Sequence, residues 1–180
     1  MKLKTFILAL FSLFIINGIS AQDKTESAET ILKKAYLQAE NEDKNVFIIF
    51  HASWCGWCHR MDTLMNREAC KNLFEKDYVI THLVVQERGD KEHLNNPGAT
   101  EMFKKHHGRG IPLWLIFDKN GKFLADSNMR PEGVALDQPG TNTGSPATKE
   151  EVDHFIKVLK ETSSMKENEL GIIAELFLQK

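Results

Sequence analysis

Residues 51–59 read His51-Ala52-Ser53-Trp54-Cys55-Gly56-Trp57-Cys58-His59 and hold two of the three cysteines of the 180-residue chain. Two chemistries fit these residues. Read as far as Cys58, they form a C-x-x-C dithiol of the redox type. Read one residue further, they form C-x-x-C-H, the attachment signature of a c-type haem. The spacing leaves both open, and the flanking sequence has to separate them.

Before the motif, Val46-Phe47-Ile48-Ile49-Phe50 is apolar without alternation. Such a run fits a strand covered on both faces. After the motif, Arg60 to Arg67 reads as helix, with a start as early as Gly56. A strand that ends at the motif, followed by a helix, sets Cys55 at a helix N-terminus. There, unpaired amide N–H groups and the positive end of the dipole stabilise a thiolate. Cys58, one turn on, is near enough to attack a mixed disulfide formed on Cys55. Gly56 gives room at the start of the helix. The haem reading accounts for none of this. It also needs a distal ligand, for which Met102, Met129 or another histidine lack a supporting pattern.

Outward from the motif, the elements alternate. Residues 25–41 place Ile31, Leu32, Ala35, Tyr36 and Ala39 at helical spacing. A helix over 68–76, a strand over 78–85 and a polar loop over 87–96 follow. A short helix over 98–107 turns Met102 and Phe103 inward and ends at Gly108. Leu113 to Phe117 is a second buried strand. Asp118-Lys119-Asn120-Gly121 is a hairpin turn, and Lys122 to Ala125 returns antiparallel. The Pro-, Gly- and Asn-rich stretch 127–147 is a long loop. The sequence leaves open whether it shapes the site or is a surface insertion. Thr148 and Glu151 form a capping box that opens a helix to about 162. Ser164 and Glu167 repeat that signal for an extra C-terminal helix over 164–178, with Leu170, Ile173, Ala174 and Phe177 on one face. The expected fold is α/β: a mixed central sheet flanked by helices.

A second stretch narrows the choice. Asn96-Pro97-Gly98, Arg109-Gly110-Ile111-Pro112 and Phe117…Asn120-Gly121 follow Trp54-Cys55-Gly56 and Cys58 in the order found in the thioredoxin family. The chain resembles that family over about 46–126, with the helical pattern extending the core to about 160. The resemblance implies a thioredoxin fold and a thiol–disulfide oxidoreductase. Cys55 is then the nucleophile and Cys58 the resolving thiol. Pro112 is the cis-proline facing them, and the backbone of Ile111 is free to pair with an extended substrate. The implied partners are protein thiols or disulfides and a membrane electron donor or acceptor. No organic cofactor or metal is expected. A reductase or isomerase direction is favoured. An oxidase of the same fold, a c-type haem carrier and a non-enzymatic binding module are the alternatives.

The chain departs from thioredoxin where the family carries a buried acid six residues before the first cysteine, because Ile49 stands there. His51, Lys44 and Asp62 are the candidates for moving the proton of Cys58. Gly-Trp replaces Gly-Pro between the cysteines, which leaves the redox poise open. Trp54 and Trp57 are candidate substrate contacts. His59, if protonated, favours a nearby thiolate; otherwise it faces solvent. Cys70 shares a helical face with Ala69, Leu73 and Phe74 and reads as a buried small residue. Adjacent His106 and His107 point apart on a helix and read as helix-end cations rather than metal ligands.

At the start of the chain, Lys2 and Lys4 precede an apolar run from Phe6 to Ile16 and small residues at Gly18, Ser20 and Ala21. This is the layout of a cleaved signal peptide over 1–21, and the run falls short of the about 20 residues that span a bilayer. Its removal takes two lysines and no acid, moving the net charge from -2 to -4. The expected product is one domain over 22–180, exported to a periplasm or the cell exterior, without stable membrane insertion. With no basic patch, nucleic acid is not an expected partner.

Overall fold

The computed structural model describes residues 25–179, so the leader expected at 1–21 lies outside the described residues. Strand β1 (Asn45–His51) runs between β2 (Tyr78–Val84), its parallel neighbour, and β3 (Leu113–Phe117), its antiparallel one. Strand β4 (Phe123–Asp126) adds antiparallel to β3 and gives the order β2-β1-β3-β4. The sheet is therefore mixed.

Burial on both sides explains the unbroken apolar run in β1. Val46, Ile48 and Phe50 face α1 (Ala28–Glu42) and α4 (Ala99–Lys105). Phe47 and Ile49 face α2 (Gly56–Met65), α3 (Glu68–Asp77), α5 (Lys149–Thr162) and α6 (Glu167–Leu178). On the second side, aromatic rings link sheet to outermost helix. Phe47 meets Trp114 at 5.6 Å between centroids, Trp114 meets Phe155 at 5.3 Å, and Phe155 meets Phe177 at 5.1 Å. Such pairs stabilise by about 0.5–1.5 kcal/mol each beyond their burial. No helix among the described residues is long and apolar enough to cross a membrane.

Several elements differ from the sequence expectation. Residues Gly89–Leu94, expected as plain loop, wind into a 3-10 turn. Helix α4 ends at Lys105, and the left-handed residue after it is His107 (φ 57°), not Gly108. The amide of Gly108 donates to the Phe103 carbonyl and that of His107 to the Lys104 carbonyl, a Schellman closure. Gly108 is required for a different reason: a Cβ there would lie 2.6 Å from the Phe103 ring. The last helix starts at Glu167, because the carboxylate of Glu169 accepts the Lys166 amide. Ser164 is instead drawn out of the helix, its amide donating to Asp77.

The stretch 127–147 is not featureless. It contains an antiparallel ribbon of β5 (Asn128–Met129) and β6 (Thr141–Asn142). Its base is a buried ion pair. Both Arg130 guanidinium nitrogens Nη1 and Nη2 donate to the Asp126 carboxylate at 2.7 Å, with the two side chains 5 % and 2 % exposed. Nη1 also donates to the Asn128 carbonyl and Nε to that of Gln138, so one side chain ties β5 to the loop that leads into β6.

Removing Arg130 leaves the Asp126 charge buried without its partner, so Arg130→Met is expected to lower stability by about 3 kcal/mol in urea unfolding. Cys70 is fully buried, and burial pushes its thiol pKa up. A bulky maleimide is therefore expected to label no thiol in the folded oxidised protein and one after unfolding.

Candidate active site

The site forms where β1 ends. After His51 the chain turns, and the Cys55 amide donates to the Ala52 carbonyl. Cys55 is the N-cap of α2, and the Cys58 amide donates to its sulfur at 3.1 Å. The Cys55 carbonyl also accepts from the amides of Cys58 and His59. The two sulfurs are joined as a disulfide, with their Cα atoms 5.2 Å apart. Cys55 is 4 % and Cys58 1 % exposed, and both pack with Ala52 against Ile111.

On the opposite side stands the turn before β3. Its Ile111–Pro112 peptide bond is cis, and the Ile111 carbonyl oxygen lies 3.6 Å from the Cys55 sulfur. Trp54 and Trp57 flank the disulfide, 50 % and 57 % exposed. The Trp54 indole donates to the Gln86 carbonyl, and the Arg88 guanidinium sits 4.8 Å above its ring. Arg60 lies 5.7 Å from the Trp57 ring. Both large apolar faces are thereby presented to solvent rather than folded into the core.

The other sequence candidates divide. His59 is exposed and its Nε2 bonds the Ser53 carbonyl at 2.8 Å, which turns it back on the preceding loop rather than onto a sulfur. Nothing in the structure demands a glycine at 56, since a Cβ there would meet nothing within 4 Å. Lys44 lies at the far end of β1 and pairs with Glu42. His51 and Asp62 are near the motif and share a partner. His82 bonds Asp62 at 2.8 Å, and the His51 ring lies 5.1 Å from the His82 ring. Burial, followed by the neighbouring His82, pushes the His51 pKa down. His106 is half-buried between Phe117 and Phe123, with its pKa pushed down chiefly by burial, and His107 bonds the Asp137 carbonyl. His106 is thus packed among rings rather than standing free as the helix-end cation expected. Among the described residues no cluster of three metal-ligating side chains occurs.

Sequence reasoning missed three groups. Glu87 is buried and its carboxylate accepts both the amide and the hydroxyl of Ser53, pinning the loop that leads into Cys55. Arg60, two residues after Cys58, donates to Ser145, to the Pro146 carbonyl and to the Phe177 carbonyl. Asn142 reaches from β6 to the Gly110 and Pro112 carbonyls. Only the position of Arg60 beside the motif carried any signal. The other two lie at 32 and 87 residues from Cys55 in a chain with no motif around them.

The C-x-x-C-H reading requires both sulfurs and the His59 imidazole to face one macrocycle. Here Cys58 packs inward and the His59 Nε2 is engaged by Ser53. The arrangement fits dithiol–disulfide exchange instead: a sulfur at a helix N-terminus, a second sulfur one turn on, and an open apolar surface around them.

The chain is similar to known proteins over part of its length. The sequence model of the thioredoxin-like family matches residues 28–119. The thiol:disulfide interchange protein DsbD of Photorhabdus laumondii is 30 % identical over 99 residues, which cover 52 % of this chain and 15 % of that much longer protein. Among solved structures, a disulphide isomerase from Xylella fastidiosa Temecula1 aligns with a TM-score of 0.46 and 22 % identity, over 55 % of this chain and 72 % of its own. The C-terminal domain of Neisseria meningitidis DsbD aligns at 0.42 and 20 %, over 77 % of this chain and 98 % of its own. With its Cys55–Cys58 disulfide at the N-terminus of α2 and half of its length inside the family match, the chain belongs to the thioredoxin-like family.

Proposed function

We propose that the protein reduces or isomerises disulfides in polypeptides outside the cytoplasm, with Cys55 as nucleophile and Cys58 as resolving thiol. The carrying observation is the position of Cys55 as N-cap of α2, with the Cys58 amide aimed at its sulfur. In the reduced form the Cys55 thiolate attacks a substrate disulfide. One substrate thiolate leaves and takes a proton, and a mixed disulfide remains. Cys58 then loses its proton, attacks the Cys55 sulfur and releases the second substrate thiol. In reduction two electrons pass to the substrate, and the Cys55–Cys58 disulfide is what remains. The sulfur pair carries the electrons itself, so this chemistry calls for no organic cofactor or metal.

What would hold the thiolate supports the reductive direction. A strong oxidant is one whose reduced form is strongly stabilised. Among the described residues no cationic side chain hydrogen-bonds either sulfur, and His59 is turned onto Ser53. Stabilisation by the helix end alone supports the reductase range. Regeneration then needs a dithiol donor, and for an exported protein the proposed donor is a membrane protein. Export itself rests on the leader pattern at 1–21, with residues 22–180 acting as one unit. The exposed Trp54 and Trp57 and the Ile111 backbone supply the contacts for an extended polypeptide substrate.

Two outcomes test this reading. Cys58→Ser is expected to trap a covalent, reductant-sensitive adduct with a polypeptide disulfide on non-reducing gels. Cys55→Ser is expected to trap none. Equilibration against glutathione or dithiothreitol buffers is expected to give a potential near that of thioredoxin, about -270 mV; a value near about -120 mV reverses the direction to a disulfide donor.

A further inference from the structure

The family match stops at residue 119, yet the ribbon that follows β4 is built directly onto the site. Residues 142–146 are held from four sides. The Asn142 side-chain Nδ2 donates to the carbonyls of Gly110 and Pro112, both at 3.0 Å, and its Oδ1 accepts the Gly144 amide at 3.0 Å. The Thr143 amide donates to the Ser127 carbonyl, and the indole of Trp114 donates to the Gly144 carbonyl at 3.0 Å. Arg60 of α2 donates to the Ser145 hydroxyl and the Pro146 carbonyl. The same α2 carries Cys58, so ribbon, turn and dithiol helix form one braced unit.

The effect on the turn is specific. Asn142 draws the carbonyls on either side of Ile111 toward the ribbon. The Ile111 carbonyl between them lies 3.6 Å from the Cys55 sulfur. Between ribbon and turn runs an open groove of about 260 Å³ that reaches Trp57. Gly144 lies across it, where a Cβ would stand 3.6 Å from the Pro112 carbonyl oxygen. A small disulfide needs only the sulfur. A polypeptide needs its backbone beside the disulfide placed against Ile111 as well.

We propose that Asn142 is a positioning residue for polypeptide substrates: it fixes the Ile111 backbone opposite Cys55 and forms the far wall of the groove that takes the extended chain next to the target disulfide. This rests on the oxidoreductase reading above and adds to it the part of the substrate that is read. Asn142 touches neither sulfur, so its loss is expected in KM rather than kcat.

The test compares insulin, a polypeptide disulfide, with glutathione disulfide, each reduced by the full chain with dithiothreitol as the recycling dithiol. For Asn142→Ala, the loss of the two hydrogen bonds to the turn, together with the one from the Gly144 amide, is expected to lower the ratio of kcat/KM on insulin to that on glutathione disulfide by about tenfold. The change is expected in KM for insulin, with the reduction potential unmoved. Asn142→Ser keeps a donor for one carbonyl and is expected to recover part of the ratio; it also decides the matter if the alanine variant does not fold. Asn142→Asp turns an acceptor toward both carbonyls and is expected to fare no better than alanine. An unchanged ratio, equal losses on both substrates, or a wild-type ratio in Asn142→Asp overturns the inference. A wild-type protein that reduces neither substrate overturns the oxidoreductase reading instead, and this one with it.

Discussion

A single amide, that of Cys58, points at the sulfur of Cys55, and the surrounding structure serves to keep it there. The geometry exists because β1 is anchored on both faces and stops at His51, leaving the chain only Ala52 to Trp54 in which to turn into α2. A rigid central strand fixes where the turn begins. The apolar face of α2, through Met61, Leu64 and Met65, fixes where the helix lies. The sulfur at the N-cap has little freedom left, and a thiolate formed there meets amide N–H groups already in place. The loop between is tightened further by Glu87, which accepts from the amide and the hydroxyl of Ser53.

Much of this was legible because it is local. The run 46–50 announces a strand buried on both sides, and Thr148 with Glu151 announces α5, whose cap is present in the structure. The Cys55–Cys58 pair is equally visible, since its chemistry depends on residues three apart. The misreadings are places where two local solutions compete. Ser164 and Lys166 can both precede a helix, and a tertiary contact from Asp77 decides between them. His107 rather than glycine takes the left-handed position, its ring held by the Asp137 carbonyl on the insertion. Long-range polar contacts of this kind leave no period and no spacing to read.

The stretch 127–147 shows the same limit on a larger scale. Its composition is that of a loose surface segment, and half of what it does depends on partners far away in the chain. Arg130 with Asp126 closes its base, and the buried hydroxyls of Ser127 and Ser145 accept from the Trp114 amide and the Arg60 guanidinium. Polar burial of this kind specifies one arrangement because each alternative leaves a donor or acceptor without a partner. A segment rich in Gly, Pro and Asn thus acquires a defined shape without an apolar core of its own. It brings that shape to the side of the site that the family pattern does not describe.

Arg60 extends the brace to the far end of the chain. Besides Ser145 and Pro146, its guanidinium takes the Phe177 carbonyl, one of the carbonyls that the last turn of α6 cannot satisfy internally. Helix α6 and the dithiol helix are therefore in mechanical series through one side chain. A shift of the last turn of α6 reaches the same guanidinium that steadies the ribbon beside Pro112. Helix α6 is thus a neighbour of the active site through its backbone, and not only a cover for the core.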